Sequence, residues 1–146
     1  MTIAAARPSI ELTDAPEAPA VAAINDGLQA FNQAASPFPN SRQLAVLLRC
    51  PETGEVKGGL LGRTMQFWLY IGVIFIPEAW RGQRLGEELL ARAEEEARAR
   101  GCLGMWLDTY DFQAPRFYEK QGFTKFGEIP DHPPGQVRSF YQKRFA

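Results

Sequence analysis

The chain has 146 residues, of which 45% are hydrophobic and 23% charged, and its formal net charge is −1. That length suits one domain with a real core, and the near-neutral balance argues against a nucleic-acid partner. Two cysteines outside any CxxC pair, Cys50 and Cys102, and a lone histidine, His132, argue against a metal site of the zinc type; with no basic-then-apolar leader and no apolar run near the roughly 20 residues of a membrane span, a cytoplasmic protein without a membrane partner is expected.

Ile10 and Leu12 open the ordered part of the chain as an expected edge strand, and Asp14–Pro19 reads as a turn. Val21, Ile24, Leu28 and Phe31 recur at spacings of three, four and three, one face of an amphipathic helix that Gly27 weakens. Ser36–Ser41 holds two prolines and reads as a loop. Strands are expected over Leu44–Leu48, Val56–Met65 and Phe67–Ile76. The last is nearly continuous in apolar residues, as a central strand covered on both faces would be, and Pro77 ends it.

Arg84–Arg100 carries the plainest helical pattern. Leu85, Leu89, Ala93 and Ala97 lie four apart, and Glu88/Arg92, Glu94/Arg98 and Glu96/Arg100 are i, i+4 pairs. Gly101 supplies the glycine that commonly follows a helix. Met105–Thr109 is then a strand and Ala114–Gln121 a short helix stopped by Gly122. Phe123–Ile129 and Val137–Phe145 are the last strands, and the second is expected to form an apolar sheet edge whose covering favours a homodimer. The order is strand, helix, three strands, helix, strand, helix, two strands, with no repeat or linker, which predicts one mixed α/β domain over residues 1–146.

The segment from Ile74 to Glu87, IFIPEAWRGQRLGE, concentrates chemistry. It runs from a buried strand through a turn to a helix start. A helix N-terminus presents unpaired N–H groups and partial positive charge, glycines allow close approach of an anion, and Arg81 and Arg84 add charged donors. Taken by itself the segment also fits a plain strand–turn–helix connection with solvated arginines.

This segment resembles the pyrophosphate loop of the GNAT (GCN5-related) N-acetyltransferases, Gln/Arg-x-x-Gly-x-Gly/Ala. Arg81 and Gly86 match its first and last positions, and Arg84 replaces the central glycine. A second segment, Asp111 to Phe123, is similar to the family's Asn-x-x-Ala-x-x-Phe/Leu-Tyr-Glu-x-x-Gly-Phe, with Ala114, Phe117, Tyr118, Glu119, Gly122 and Phe123 in register and Asp111 in place of the usual Asn. The resemblance runs from near Arg42 to the C-terminus. It implies a GNAT-like fold, a mostly antiparallel sheet of six or seven strands with splayed central strands and flanking helices. It implies acetyl-CoA as co-substrate, held by the backbone of Ile74, Phe75 and Ile76, by the loop Arg81, Gly82, Gln83, Arg84, Leu85, Gly86 and Glu87, and by Ala114, Phe117 and Tyr118.

The implied reaction is direct attack of an amine on the thioester. Tyr118 would protonate the departing thiolate and a backbone N–H near Phe75 would meet the oxyanion. A core tyrosine with a bonded hydroxyl is the bland reading of Tyr118. Relatives carry a basic carboxylate near the position of Gly72, where this chain has none. Asp108 and Asp111 are the preferred substitutes, with Glu78, His132 and an ordered water behind them; as a structural alternative, both aspartates cap the following helix. Phe38 is expected to touch the acceptor, a small-molecule amine or, as a variant, a protein amine. The three tryptophans are expected in the core or at an interface. A non-catalytic acyl-CoA sensor is the competing function.

Overall fold

Glu17 and Pro19 start the first helix of the computed structural model, which describes residues 5–38 and 41–146. Helix α1 (Ala18–Ala35) begins where the Glu17 carbonyl accepts the Ala20 and Val21 N–H groups at 3.0 and 3.2 Å, with proline in the first turn, where its missing N–H costs nothing. The expected stripe of Val21, Ile24, Leu28 and Phe31 is present on it, and all four side chains are exposed. The edge strand expected at Ile10 and Leu12 does not form; both residues stand almost fully in solvent, since two apolar residues in a polar segment have no neighbouring backbone to pair with. The chain divides into two compact units, residues 1–36 and 37–146, and α1 belongs to the first.

The second unit holds a six-stranded sheet: β1 (Arg42–Arg49), β2 (Val56–Met65), β3 (Trp68–Phe75), β4 (Gly104–Tyr110), β5 (Thr124–Pro130) and β6 (Val137–Arg144). Its order is β1-β2-β3-β4-β6-β5, antiparallel throughout except for the parallel pair β3–β4. Between β3 and β4 come a 3₁₀ turn (Glu78–Trp80) and helix α2 (Leu85–Ala99); between β4 and β5 comes the short helix α3 (Pro115–Lys120). The edges are thus β1 and β5. Strand β6, expected at the edge, lies between β4 and β5, because the chain passes outward to β5 before turning back; the edge argument for a homodimer falls with it.

Alternation along the strands separates two faces. Leu44, Leu60, Leu69, Ile71, Met105, Leu107 and Tyr141 point to one face and are buried with Leu89, Leu90, Ala93 and Ala97 of α2. Leu60, Leu69, Met105 and Leu107 are fully enclosed, each contributing about 1.5–3 kcal/mol by burial. The predicted ion pairs Glu94–Arg98 and Glu96–Arg100 close at 3.0 and 2.9 Å, and both reach the sheet, Glu94 through Lys143 and Arg100 through Thr64. On the other face Leu47, Leu61, Val73 and Phe75 are exposed, so β3 is covered on one side rather than both. No helix among the described residues is long and apolar enough to cross a membrane.

The hairpin between β2 and β3 turns on Gln66 and Phe67, both at positive φ, as a two-residue loop of this hand requires. The Phe67 carbonyl accepts the Leu103 N–H at 2.7 Å, and its ring meets Phe38 with centroids 5.3 Å apart. Phe38 therefore sits at the start of β3, far from the strand's C-terminal end.

Candidate active site

The sheet opens between its two parallel strands. β3 and β4 pair over only four positions, Trp68↔Gly104 to Ile71↔Leu107. Beyond Ile71, β3 continues against β2 alone. The break coincides with a bulge: Ile71 faces Gly62 and Val73 faces Leu61, leaving Gly72 as the extra residue. A bulge bends its strand and raises its twist, which swings Gly72–Phe75 away from β4. Their backbone groups on that side have no strand partner.

A cavity of about 750 Å³ fills the opening. One wall is Ile71–Ile76 of β3, the opposite wall Leu107–Thr109 of β4, with the start of α2 and one side of α3 closing the ends. Of the residues anticipated from sequence, Ile74, Phe75, Ile76, Arg81, Gly82, Arg84, Leu85, Gly86, Asp108, Ala114, Phe117 and Tyr118 line it. Gln83, Glu87 and Asp111 are not in its lining. Glu87 instead accepts from Gln121 Nε2 at 3.3 Å, tying α2 to the end of α3.

The loop into α2 has an unusual backbone. Arg84 precedes the helix with φ 60° and ψ 26°, the left-handed region. A Cβ there costs roughly 1 kcal/mol or more, which is the physical reason a glycine would be expected at this position. Gly82 is at φ +83° in open space, so it serves the turn. Gly86 serves packing: a Cβ on it would lie 3.0 Å from the Phe117 ring, so its absence lets α2 and α3 touch. Arg81 Nε donates to the Ile76 carbonyl at 3.0 Å, bridging the strand end and the loop.

Tyr118 projects from α3 into the cavity between Phe117 and Phe123, its ring edge-on to both at 5.2 and 5.9 Å. Its hydroxyl makes no side-chain hydrogen bond among the described residues, and no buried side-chain polar atom is left without a partner there, so the hydroxyl opens onto the cavity space. Burial raises the Tyr118 pKa above its ordinary value. Tyr118 packs against the core, as the bland reading has it, but without the bonded hydroxyl.

Neither aspartate caps a helix; α3 begins at Ala114 without a side-chain cap. Asp108 accepts from Arg138 Nε at 2.8 Å, and Tyr70 Oη lies 3.4 Å from its other oxygen. Hydrogen bonding to Asp108 raises the Arg138 pKa, and burial, then the Asp108 charge, raises that of Tyr70. Asp111 Oδ2 accepts the Val137 N–H at 3.1 Å while its own N–H returns to the Val137 carbonyl at 3.1 Å. Glu78 lies in the 3₁₀ turn, and His132 stacks on Tyr110 at 5.4 Å outside the cavity lining.

Sequence reasoning missed Thr109, Phe112 and Gln113, all in the cavity wall, and assigned Trp80, also there, to the core or an interface. Gln113 Oε1 accepts from Thr109 Oγ1 at 2.9 Å and the Tyr110 N–H at 2.8 Å, a latch that fixes the corner after β4. A glutamine two residues before proline gave no signal of this. Among the described residues no group of His, Cys, Asp or Glu is arranged to hold a metal ion.

The Acetyltransferase (GNAT) family model matches residues 13–123. An acetyltransferase of Agrobacterium fabrum is 44% identical over 134 residues, covering 92% of this chain and 97% of that protein. The blasticidin-S acetyltransferase of Streptomyces morookaense is 42% identical over 103 residues, 68% of this chain and 76% of its own length. A crystal structure of an acetyltransferase from Bacillus cereus superimposes with a TM-score of 0.74 at 26% identity, covering 92% of this chain and 98% of that one.

Proposed function

Since this chain belongs to the acetyltransferase (GNAT) family and is an acyl-CoA-dependent acetyltransferase, we propose that it moves an acetyl group from acetyl-CoA to a primary amine of a small molecule. One observation carries the reading: the unpaired edge of β3, the start of α2 and the open hydroxyl of Tyr118 meet in one cavity. The edge of Gly72–Phe75 offers backbone groups to the amides of a pantetheine arm, as a missing strand would. The N–H groups at the start of α2, with Arg81 and Arg84, suit its phosphates. The name of the blasticidin-S relative supports a small-molecule acceptor.

In the proposed reaction the amine nitrogen attacks the thioester carbon in a ternary complex. The carbon–sulfur bond breaks, and the sulfur takes the Tyr118 proton. Burial holds that proton on Tyr118 through neutral pH, as a general acid requires. A β3 backbone N–H at Phe75 stabilises the oxyanion. Asp108 is the cavity's carboxylate; held by Arg138, it orients the amine and receives its proton directly or through water. Asp111, bonded twice to Val137, is a positioning residue that holds the corner after β4.

Thermal unfolding with acetyl-CoA, CoA and ATP tests the donor site. At about 100 times its dissociation constant a ligand stabilises the native state by about 2.7 kcal/mol, so acetyl-CoA and CoA are expected to raise the midpoint and ATP is not. An unchanged midpoint at saturating acetyl-CoA sinks the reading. A sensor that holds acyl-CoA without turnover is the second reading, favoured by the left-handed Arg84 and the ion-paired Asp108. Release of free thiol with an amine panel separates the two.

A further inference from the structure

The corner after β4 presents an aromatic ring that packing does not account for. Phe112 is 65% exposed, although it lines the same cavity as Asp108 and Tyr118. Its backbone is not loose. The Asp111 N–H and carboxylate bond Val137, the Gln113 side chain bonds Tyr110 and Thr109, and the Gln113 N–H returns to the Tyr110 carbonyl at 2.9 Å. A rigid corner thus holds a large apolar side chain at the rim of the cavity.

The ring is also oriented. Phe112 lies parallel to Tyr110 with centroids 5.2 Å apart and planes 4° apart, and His132 stacks on Tyr110 at 5.4 Å and 20°. The Arg138 guanidinium sits 5.4 Å from the Tyr110 ring centre while bonded to Asp108, so the stack and the cavity carboxylate share one support. Phe112 and His132 each stack near-parallel on Tyr110, and that common tilt sets the plane in which a further ring would add. An aliphatic acceptor would gain only apolar burial there; a flat one would add a stacked contact.

We propose that Phe112, backed by Tyr110 and His132, is the acceptor's specificity platform, selecting amines that carry a planar aromatic ring. Such an acceptor lays its ring on Phe112 and sends its amine along the wall toward Asp108. The inference rests on the acetyltransferase reading in taking the Phe112 end of this cavity as the acceptor's and the end at Phe75, Arg81 and Arg84 as the donor's.

The test uses the full chain saturated with CoA and two amines of like size, 2-phenylethylamine and 2-cyclohexylethylamine, with affinities read by calorimetry. The native protein is expected to prefer the aromatic amine by about three- to tenfold, the equivalent of one stacked pair. Phe112→Leu, which keeps bulk without a π-face, is expected to bring the ratio to about one, and Phe112→Trp to keep it. Equal affinities in the native protein, no binding of either amine, or a preference that survives in Phe112→Leu overturns the proposal. Failure of the donor reading shows separately, as an unshifted unfolding midpoint with acetyl-CoA.

Discussion

The two ends of the β3–β4 pair differ sharply. At the closed end, Trp68 to Ile71 pair in register with Gly104 to Leu107, and side chains crowd the seam: a Cβ on Gly104 would lie 2.6 Å from both the Lys143 carbonyl and the Trp68 ring. At the open end the same two strands share no pair, and a cavity takes the place of the ladder. The closed end spends its chemistry on packing. The open end leaves strand backbone and the Tyr118 hydroxyl facing the cavity, beside a carboxylate, Asp108, held by Arg138. One pair of strands thus supplies both the anchor and the cleft, so stability and activity should respond to different substitutions.

The largest effect is expected at the open end. Tyr118→Phe should lower kcat by about 10²- to 10⁴-fold in thiol release, the usual reach of a lost general acid; an undiminished rate would remove Tyr118 from that role. At the closed end, Gly104→Ala should cost about 1–3 kcal/mol in urea unfolding, since backbone and an indole must both give way.

Tyr141 sharpens the comparison from the core side. It is buried beside Leu107 in the ladder, and its hydroxyl donates to Glu119 at 2.9 Å; burial, then that bond, pushes its pKa up to about 12. A raised tyrosine pKa favours the neutral folded form. Its contribution is complete below the unfolded value near 10 and is lost as pH climbs toward about 12. Tyr141→Phe should cost about 1–2 kcal/mol at pH 8 and lack that alkaline loss in a midpoint-against-pH series. The smallest effect belongs to Arg84→Gly. Relief of the left-handed backbone should raise the free protein's stability by up to about 1 kcal/mol, while loss of the guanidinium weakens acetyl-CoA binding several-fold. A rise in midpoint without weaker binding would show that Arg84 does not reach the donor.

All six strands and both helices from Arg42 onward were legible; β2, β4, β6 and α2 carry a period because each buries one face, whereas β5 and α3 bury no residue and were read from the turn residues that bound them. Val56–Met65 has the predicted bounds, and α2 and β6 differ by a residue or so. The loop and helix start that line the cavity were legible too, being local: they lie within one stretch of sequence. The other wall was not. Asp108 finds Arg138 thirty positions away and Asp111 finds Val137 twenty-six away, so the residues that look like helix caps are tertiary contacts instead. Strand order was equally hidden, since nothing local in Thr124–Pro130 says that it outflanks β6. That Phe38 meets Phe67 at the start of β3 was hidden for the same reason: a loop's chain position does not tell which end of the sheet it reaches.

Gly72 has a consequence at the level of genes. With it omitted, β3 alternates cleanly: Leu69 and Ile71 inward, Tyr70 outward, then Val73 and Phe75 outward and Ile74 inward. With it counted, the alternation slips by one; the strand looked apolar on both sides because its outward residues Val73 and Phe75 are themselves apolar though exposed. A point substitution hardly disturbs this, as a Cβ on Gly72 meets nothing nearer than the Tyr70 ring at 3.4 Å. Loss of a single codon would remove the slip and let the strand run straight beside its parallel neighbour. The cleft is inherited as an insertion, robust to mutation of its residue and fragile to a change in length.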